Sequence, residues 1–310
     1  MVNAHDGQDG TQHDAAVMPG LFPPSWFMMV AGRRVPHPLV IGAGALWLVL
    51  NLWGSWVIVR GGQWTTGPDW GLYVAAADRL VTGQPLYTDD ALWRYSPIAA
   101  WIMVIVARLG LGVWRALHVV AVLTLRDWRW VALTLTTWPF WVDVSAGNTV
   151  VFAFVAGVHA LRGSRIGGIV YIALLLLIPR PIQIPLAIWL LWKRPDLRVP
   201  AGLLFAAHAA LVLISGQGPA WLAYTLKHGG DDAGAFAINV HPFPEWGLAW
   251  LVIGIPLAAV LTWRGRLGLA SLALAPYWLA QYLLVGLWEL VRLNSGNTDE
   301  ARHADRVAGS

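Results

Sequence analysis

The chain reads as an all-α, polytopic transmembrane helical bundle, and three observations predict it. Of its 310 residues, 57% are hydrophobic and 12% charged, with mean hydropathy +0.56. A soluble domain carries about 25% charged residues, so this composition cannot cover a globular surface with polar groups. Apolar runs such as residues 38–59 are long enough to cross a hydrocarbon core about 30 Å thick as a helix. Many of the 21 Trp fall near segment ends, among them Trp53, Trp56, Trp93, Trp128, Trp192, Trp246 and Trp263. That is where amphipathic rings favour the headgroup layer.

The net charge is +4, but the basic residues are dispersed among short loops as orientation signals, not gathered into a nucleic-acid patch. The absence of Cys excludes disulfides and thiolate metal sites. Residues 1–25, with Asp6, Asp9, Asp14 and several Gly, read as a disordered cytoplasmic tail. The membrane domain then spans 26–292, and 293–310 form a polar C-terminal tail.

Topology follows from Lys and Arg. Arg33 and Arg34 precede the first apolar run and put the N-terminus in the cytoplasm. Further basic clusters are Arg126/Arg129, Arg162/Arg165, Lys193/Arg194/Arg198 and Arg264/Arg266; acidic residues collect at 69–90, at Asp143 and at 231–245. Keeping basic clusters inside and acidic loops outside requires about nine spans: 38–59, 111–125, 128–144, 148–161, 166–179, 181–192, 200–215, 246–263 and 268–291. Segment 97–108 must then be a re-entrant or interfacial helix, since crossing would invert everything after it. Spans 148–161 and 181–192 are short of the roughly 17 residues a lone crossing needs. Neighbours must screen them, or they line a cavity open to the outer face.

The outer loop 60–96 carries a helix of its own. Trp70, Tyr73, Val74, Ala77, Leu80 and Val81 recur on one helical face, Asp69 sits where a cap belongs, and Gly83 with Pro85 ends the run. Such a helix lies along the membrane surface with its apolar face down. The plain reading of Asp69 is a cap worth about 1 kcal/mol; the functional one is a carboxylate projecting into a cavity. Asp78 reads as a wet-face charge beside Arg79, and Asp89 and Asp90 as turn residues.

The pattern Asp69-x3-Tyr73-x2-Ala76-Ala77, Gly83-x3-Tyr87, Tyr95-x-Pro97 resembles the first outer loop of polyprenol-phosphate-sugar-dependent glycosyltransferases, and most nearly glycosyltransferase family 87. Known members of that family include mannosyltransferases of mycobacterial cell-envelope lipids. Ser145-Ala146-Gly147-Asn148 resembles its Gly-Gln-x-Asn element, Ile178-Pro179-Arg180-Pro181 its Lys-Pro element, and Lys193-Arg194 its basic inner turn. The likeness covers about residues 38–290, with Asn148 in place of a usual Gln and Arg180 in place of a usual Lys. It implies a type C glycosyltransferase fold in a bacterial inner membrane, working on the outer face. The implied reaction is an inverting transfer of a sugar, mannose first, from a polyprenyl phosphate to a glycolipid or glycan acceptor. No cofactor or metal is implied. Asp69 matches the family's base, with Tyr73, Tyr95 and Asn148 as cavity-wall residues.

Arg180 is the candidate contact for the donor phosphate. In this topology it breaks the positive-inside rule, and an Arg near membrane depth costs about 2.5–3.5 kcal/mol without a partner. An anionic headgroup offsets that with bidentate geometry; the alternative is that Arg180 snorkels to the outer surface. Asp143 is either a second cavity carboxylate or a cap near Gly147. In the second outer loop, His241, with Lys227, His228 and Asn239, is a candidate donor or acceptor contact. His118, His159 and His208 lie within spans, where a His either belongs to a proton path or is neutral and bonded to a neighbouring helix. Two rivals to the enzyme remain: a non-catalytic protein of the same fold, and a transporter, for which the Pro-Arg-Pro break at 179–181 would be a broken helix.

Overall fold

The computed structural model describes residues 27–30, 33–36, 38–60, 67–89, 91–228 and 240–291. The expected tails, Asp90, Asp231, Asp232 and Asn239 lie outside the described residues. A short antiparallel hairpin, β1 (Phe27–Val30) on β2 (Arg33–Pro36), comes first and was not expected from the sequence. All the other regular structure among the described residues is helical.

Proline, glycine and small polar caps set the helix limits. After α1 (Pro38–Arg60), α2 (Pro68–Val81) opens with a Pro in its first turn and ends at Thr82-Gly83, close to the limits read from periodicity. In α3 (Pro97–Val106) the Ser96 hydroxyl accepts from the Ile98 N–H. A single 3₁₀ turn, Ala107–Leu109, leads into α4 (Gly110–Leu123). Asp127 caps α5 (Trp128–Leu135), Thr137 precedes α6 (Trp138–Ala146), and α7 is Val150–Leu161. Ser164 caps α8 (Arg165–Leu177), and α9 (Ile184–Lys193) follows. The remainder are α10 (Arg198–Ile214), α11 (Gly218–His228), α12 (Leu251–Trp263) and α13 (Leu267–Leu274), with a 3₁₀ segment at Ala280–Leu287.

Among the described residues, three helical runs are long and apolar enough to cross a membrane: Pro97–Leu123, Pro195–Ile214 and Pro244–Trp263, of 27, 20 and 20 residues. Nine uniform spans are not what the described residues form. The expected span 128–144 is two short helices, because Pro139 cannot continue α5 and the chain breaks at Thr136-Thr137. The expected span 268–291 is α13, a non-helical stretch and then a 3₁₀ segment. The segment read as re-entrant is contiguous with the span after it, but Gly110 (φ +79°, ψ 156°) leaves helical backbone and divides the run in two.

The bundle is built around α7, nine of whose twelve residues are buried. Tyr171, Leu186, Leu190 and the C-terminal Leu284, Val285 and Trp288 pack on it. This full coat of protein explains how so short an apolar helix is tolerated. A second buried cluster joins Trp70, Tyr73, Ala76 and Ala77 of α2 to Trp93, Ala99, Ala100, Met103 and Trp114. Most of the apolar face of α2 is therefore covered by protein, chiefly α3, with Val81 at its end left exposed. Large apolar side chains cover the exterior instead: Leu48 and Leu52 on α1, Leu203, Phe205 and Leu213 on α10, Val252 and Ile255 on α12 are all more than half exposed.

Several basic turns converge at one end of the bundle. Arg162 donates to the Leu125 carbonyl and lies 3.7 Å from Asp127. Arg194 donates to the Ala160 carbonyl and to Asp196.

Candidate functional site

The α6–α7 turn is the foundation of the site. Gly147 ends α6 in a left-handed conformation (φ +73°), and a Cβ there would meet the Trp70 Cβ at 2.8 Å. Only glycine lets α2 lie this close to the turn. The carbonyls at the C-terminal end of α6 are satisfied from α4: Trp114 Nε1 donates to Gly147 O at 2.8 Å, and Arg115 donates to Val144 O and Ser145 O. A cation at a helix C-terminus also meets the favourable end of the dipole.

With Trp70 seated on Gly147, its neighbour Asp69 reaches Asn148. Asn148 Nδ2 donates to Asp69 Oδ2 at 2.6 Å. Asn148 Oδ1 accepts from its neighbour's backbone, Thr149 N–H, at 2.6 Å, and from Arg180 Nη2. The amide is thus oriented without ambiguity, its nitrogen toward the carboxylate and its oxygen toward the guanidinium. Asp69 is no helix cap: Gly67 occupies that position, and no side chain caps the α2 N-terminus.

Arg180 does not snorkel either; it is buried with 5% of its surface exposed. Nη1 donates to Thr149 Oγ1 at 2.8 Å and Nη2 to Tyr95 Oη at 3.2 Å, and the guanidinium lies 5.5 Å from the centre of the Tyr95 ring. Its backbone is extended (φ −133°, ψ 139°), as a residue before proline should be. Gln183 accepts the Arg180 N–H through Oε1 and returns its own N–H to Arg180 O, and Tyr171 Oη donates to Gln183 O. The head group is held by three side chains and the backbone by a locked turn.

Tyr73 packs 6.2 Å from Tyr95, ring centre to ring centre. Its hydroxyl is buried beside Thr149 without closing a well-formed hydrogen bond among the described residues. Burial pushes this phenol well above its usual range, so it stays protonated, with its O–H available to donate. Burial also raises the partly buried Asp69, to about 6; Arg180 opposes the shift, Asp143 adds to it, and the Asn148 hydrogen bond opposes it.

An apolar cavity of about 460 Å³ adjoins this cluster, lined by Met103, Trp114, Leu117, Phe152, Leu174 and Leu177 among others. The one hydroxyl in its lining belongs to Thr149, the residue that also receives Arg180. Ile102, Val120 and Val170 on its rim are 38%, 53% and 44% exposed, so the cavity opens sideways on the apolar exterior.

Asp69, Tyr73, Tyr95, Asn148 and Arg180 are therefore brought together. Asp143 lies one layer behind them, fully buried, with Oδ2 accepting the Val151 N–H at 2.9 Å near the start of α7. Of its two expected roles it takes the cap. His241 packs instead among Phe243, Trp250 and Trp278. Lys227 and His228 bind Asp89, while Arg79 donates to Pro85 O and Thr88 Oγ1. Thr149 and His118 were missed as site residues. A hydroxyl directly before an apolar helix was a signal for Thr149; His118 had none beyond its place within a span. Among the described residues no three His, Asp or Glu side chains gather as a metal would require.

Comparison with family models, curated proteins and solved structures returned no match.

Proposed function

We propose that this chain is an integral-membrane glycosyltransferase that moves a sugar, mannose in the first instance, from a polyprenyl phosphate to a cell-envelope acceptor. One observation carries the reading: the Asp69 carboxylate and the Arg180 guanidinium are bridged by a single amide beside an apolar cavity open to the lipid side. A carboxylate, a fixed cation and a lipid-sized groove are the parts this reaction needs.

The acceptor hydroxyl attacks the anomeric carbon and gives its proton to Asp69. The bond from that carbon to the phosphate oxygen breaks, and the oxygen leaves with the electron pair on the lipid phosphate. Arg180, aided by the hydroxyls of Thr149, Tyr95 and Tyr73, stabilises the charge that develops there. A carboxyl at about 6 is ionised at neutral pH yet basic enough to accept the proton. Prenyl units lie in the cavity, and the convergence of basic turns at one end supports placing the site toward the outer face of the inner membrane.

The test is transfer of radiolabelled sugar from polyprenyl-phosphate-mannose to a membrane lipid extract by the protein in vesicles, wild type against Asp69→Asn. Transfer by the wild type and its loss in the variant supports the reading. No transfer from any polyprenyl-phosphate sugar turns it toward the non-catalytic protein of the same fold, in which the Asp69–Asn148–Arg180 bridge is a structural brace.

A further inference from the structure

Behind Asn148 stands a group that the proposed reaction does not use. His118, on α4, is fully buried, and both of its ring nitrogens face carbonyl oxygens. Nδ1 lies 2.8 Å from Trp114 O and Nε2 2.6 Å from Asn148 O. A carbonyl oxygen can only accept, and a neutral imidazole has one N–H. With one nitrogen unprotonated, a lone pair would face a lone pair at hydrogen-bond distance. Two carbonyls on one ring call for two N–H groups.

The surroundings supply the matching charge. Asp143 Oδ2 is 3.7 Å from His118 Nε2, and Asp143 Oδ1 is buried with no hydrogen-bond partner among the described residues. An isolated carboxylate so deeply buried is costly, and a paired one much less so. His118 also sits at the C-terminal end of α6, the negative end of its dipole, and Phe152 lies 4.6 Å from it, ring centre to ring centre. The opposing charge is Arg115, one turn earlier on α4, whose guanidinium is directed at Val144 O and Ser145 O. Asp69 and Arg180 face the other side of Asn148, and their charges are opposite in sign.

We infer that His118 is a positioning residue: a buried imidazolium, paired with Asp143, that clamps the Asn148 carbonyl and so holds the Asn148 amide between Asp69 and Arg180. Its role in transfer rests on the function proposed above, whereas the ion pair itself can be tested without activity.

The experiment is solid-state ¹⁵N spectroscopy of the full chain in vesicles with labelled histidine, at about pH 8, well above the ordinary imidazole value of about 6.5. Doubly protonated ring signals are expected in the wild type and are expected to vanish both in His118→Gln and in Asp143→Asn. Spectra with neutral rings only, or protonated signals that survive both variants, overturn the pair. Thermal unfolding gives a second reading: His118→Gln should lose stability that Asp143→Asn partly restores, and additive losses would count against pairing. In the transfer assay His118→Gln should lower kcat by about tenfold or more with little change in KM for the donor. An unchanged kcat would remove the positioning role even with the imidazolium present. A wild type without transfer would remove the proposed function and leave the spectra to decide the pair.

Discussion

Asn148 and Asp69, 79 residues apart in sequence, are joined by a 2.6 Å hydrogen bond from the Asn148 amide to the carboxylate. The contact exists because Gly147 lets Trp70 press against the α6–α7 turn. Helix α2 thereby delivers its acidic residue to the amide that the buried Arg180 also holds.

Replacing Asp69 by Asn keeps the shape and removes the proposed base. Transfer should fall by about 10²-fold or more while the amount of folded protein holds. Vesicle assays with labelled donor, matched by gel filtration in detergent, check this.

The acid limb of the rate profile follows from the same carboxyl. Asp69 acts as a base only when ionised, and burial lifts it to about 6. Activity should therefore rise with pH through about 6 and level off above it. Measuring kcat/KM across the acidic and neutral range should find this limb in the wild type and not in the residual activity of Asp69→Asn.

Arg180 donates to Thr149, Tyr95 and Asn148 at once, a fork that an ammonium cannot reproduce. Arg180→Ala should lower kcat/KM by about 10²–10³-fold, and Arg180→Lys should recover part of it. Recovery to the full wild-type rate would show that charge alone suffices.

Gly147→Ala combines a left-handed backbone with a Cβ 2.8 Å from the Trp70 Cβ. It should cost about 1–3 kcal/mol and reduce transfer by displacing Asp69. Gly71→Ala is the control: it lies in α2 with open space around it, so stability should hold or rise by about 0.5–1 kcal/mol. Thermal unfolding in one detergent compares the two.

The cavity should discriminate by chain length. Ala121→Phe narrows its wall, so KM for a long polyprenyl donor should rise severalfold while a short-chain donor is little affected. Equal effects on both would place the lipid elsewhere.

What could be read in advance followed from polar residues sitting where they are expensive. Asp69, Asn148 and Arg180 flank apolar runs, and an unexplained polar group in such a place points to a partner. The helix of α2 was legible because its apolar positions repeat and Gly83 stops it. What covers that face was not, since periodicity cannot tell protein from lipid. Pro139 was a visible break within an expected span, yet charge parity favoured one crossing there. The place of Asp143 depends on the α6–α7 turn, and that of His241 on rings 9 and 37 positions later, Trp250 and Trp278. Long-range packing of that kind leaves no local signal.

Arg180 donates to Thr149, Tyr95 and Asn148 within the protein itself, and this bears on how the proposed donor would be received. If the proposed function holds, a donor phosphate meets a guanidinium with three of its five N–H groups already engaged, and it can compete with Asn148 Oδ1 for Nη2. Release of that oxygen also loosens the amide from Asp69, since both ends belong to one rigid group. On that reading, entry is an exchange of partners. A small monovalent anion offers too little in return, whereas a phosphate ester with several oxygens can displace the amide and free the carboxylate in the same step. The bridge would then serve as an interlock, keeping the base occupied until the lipid phosphate has arrived.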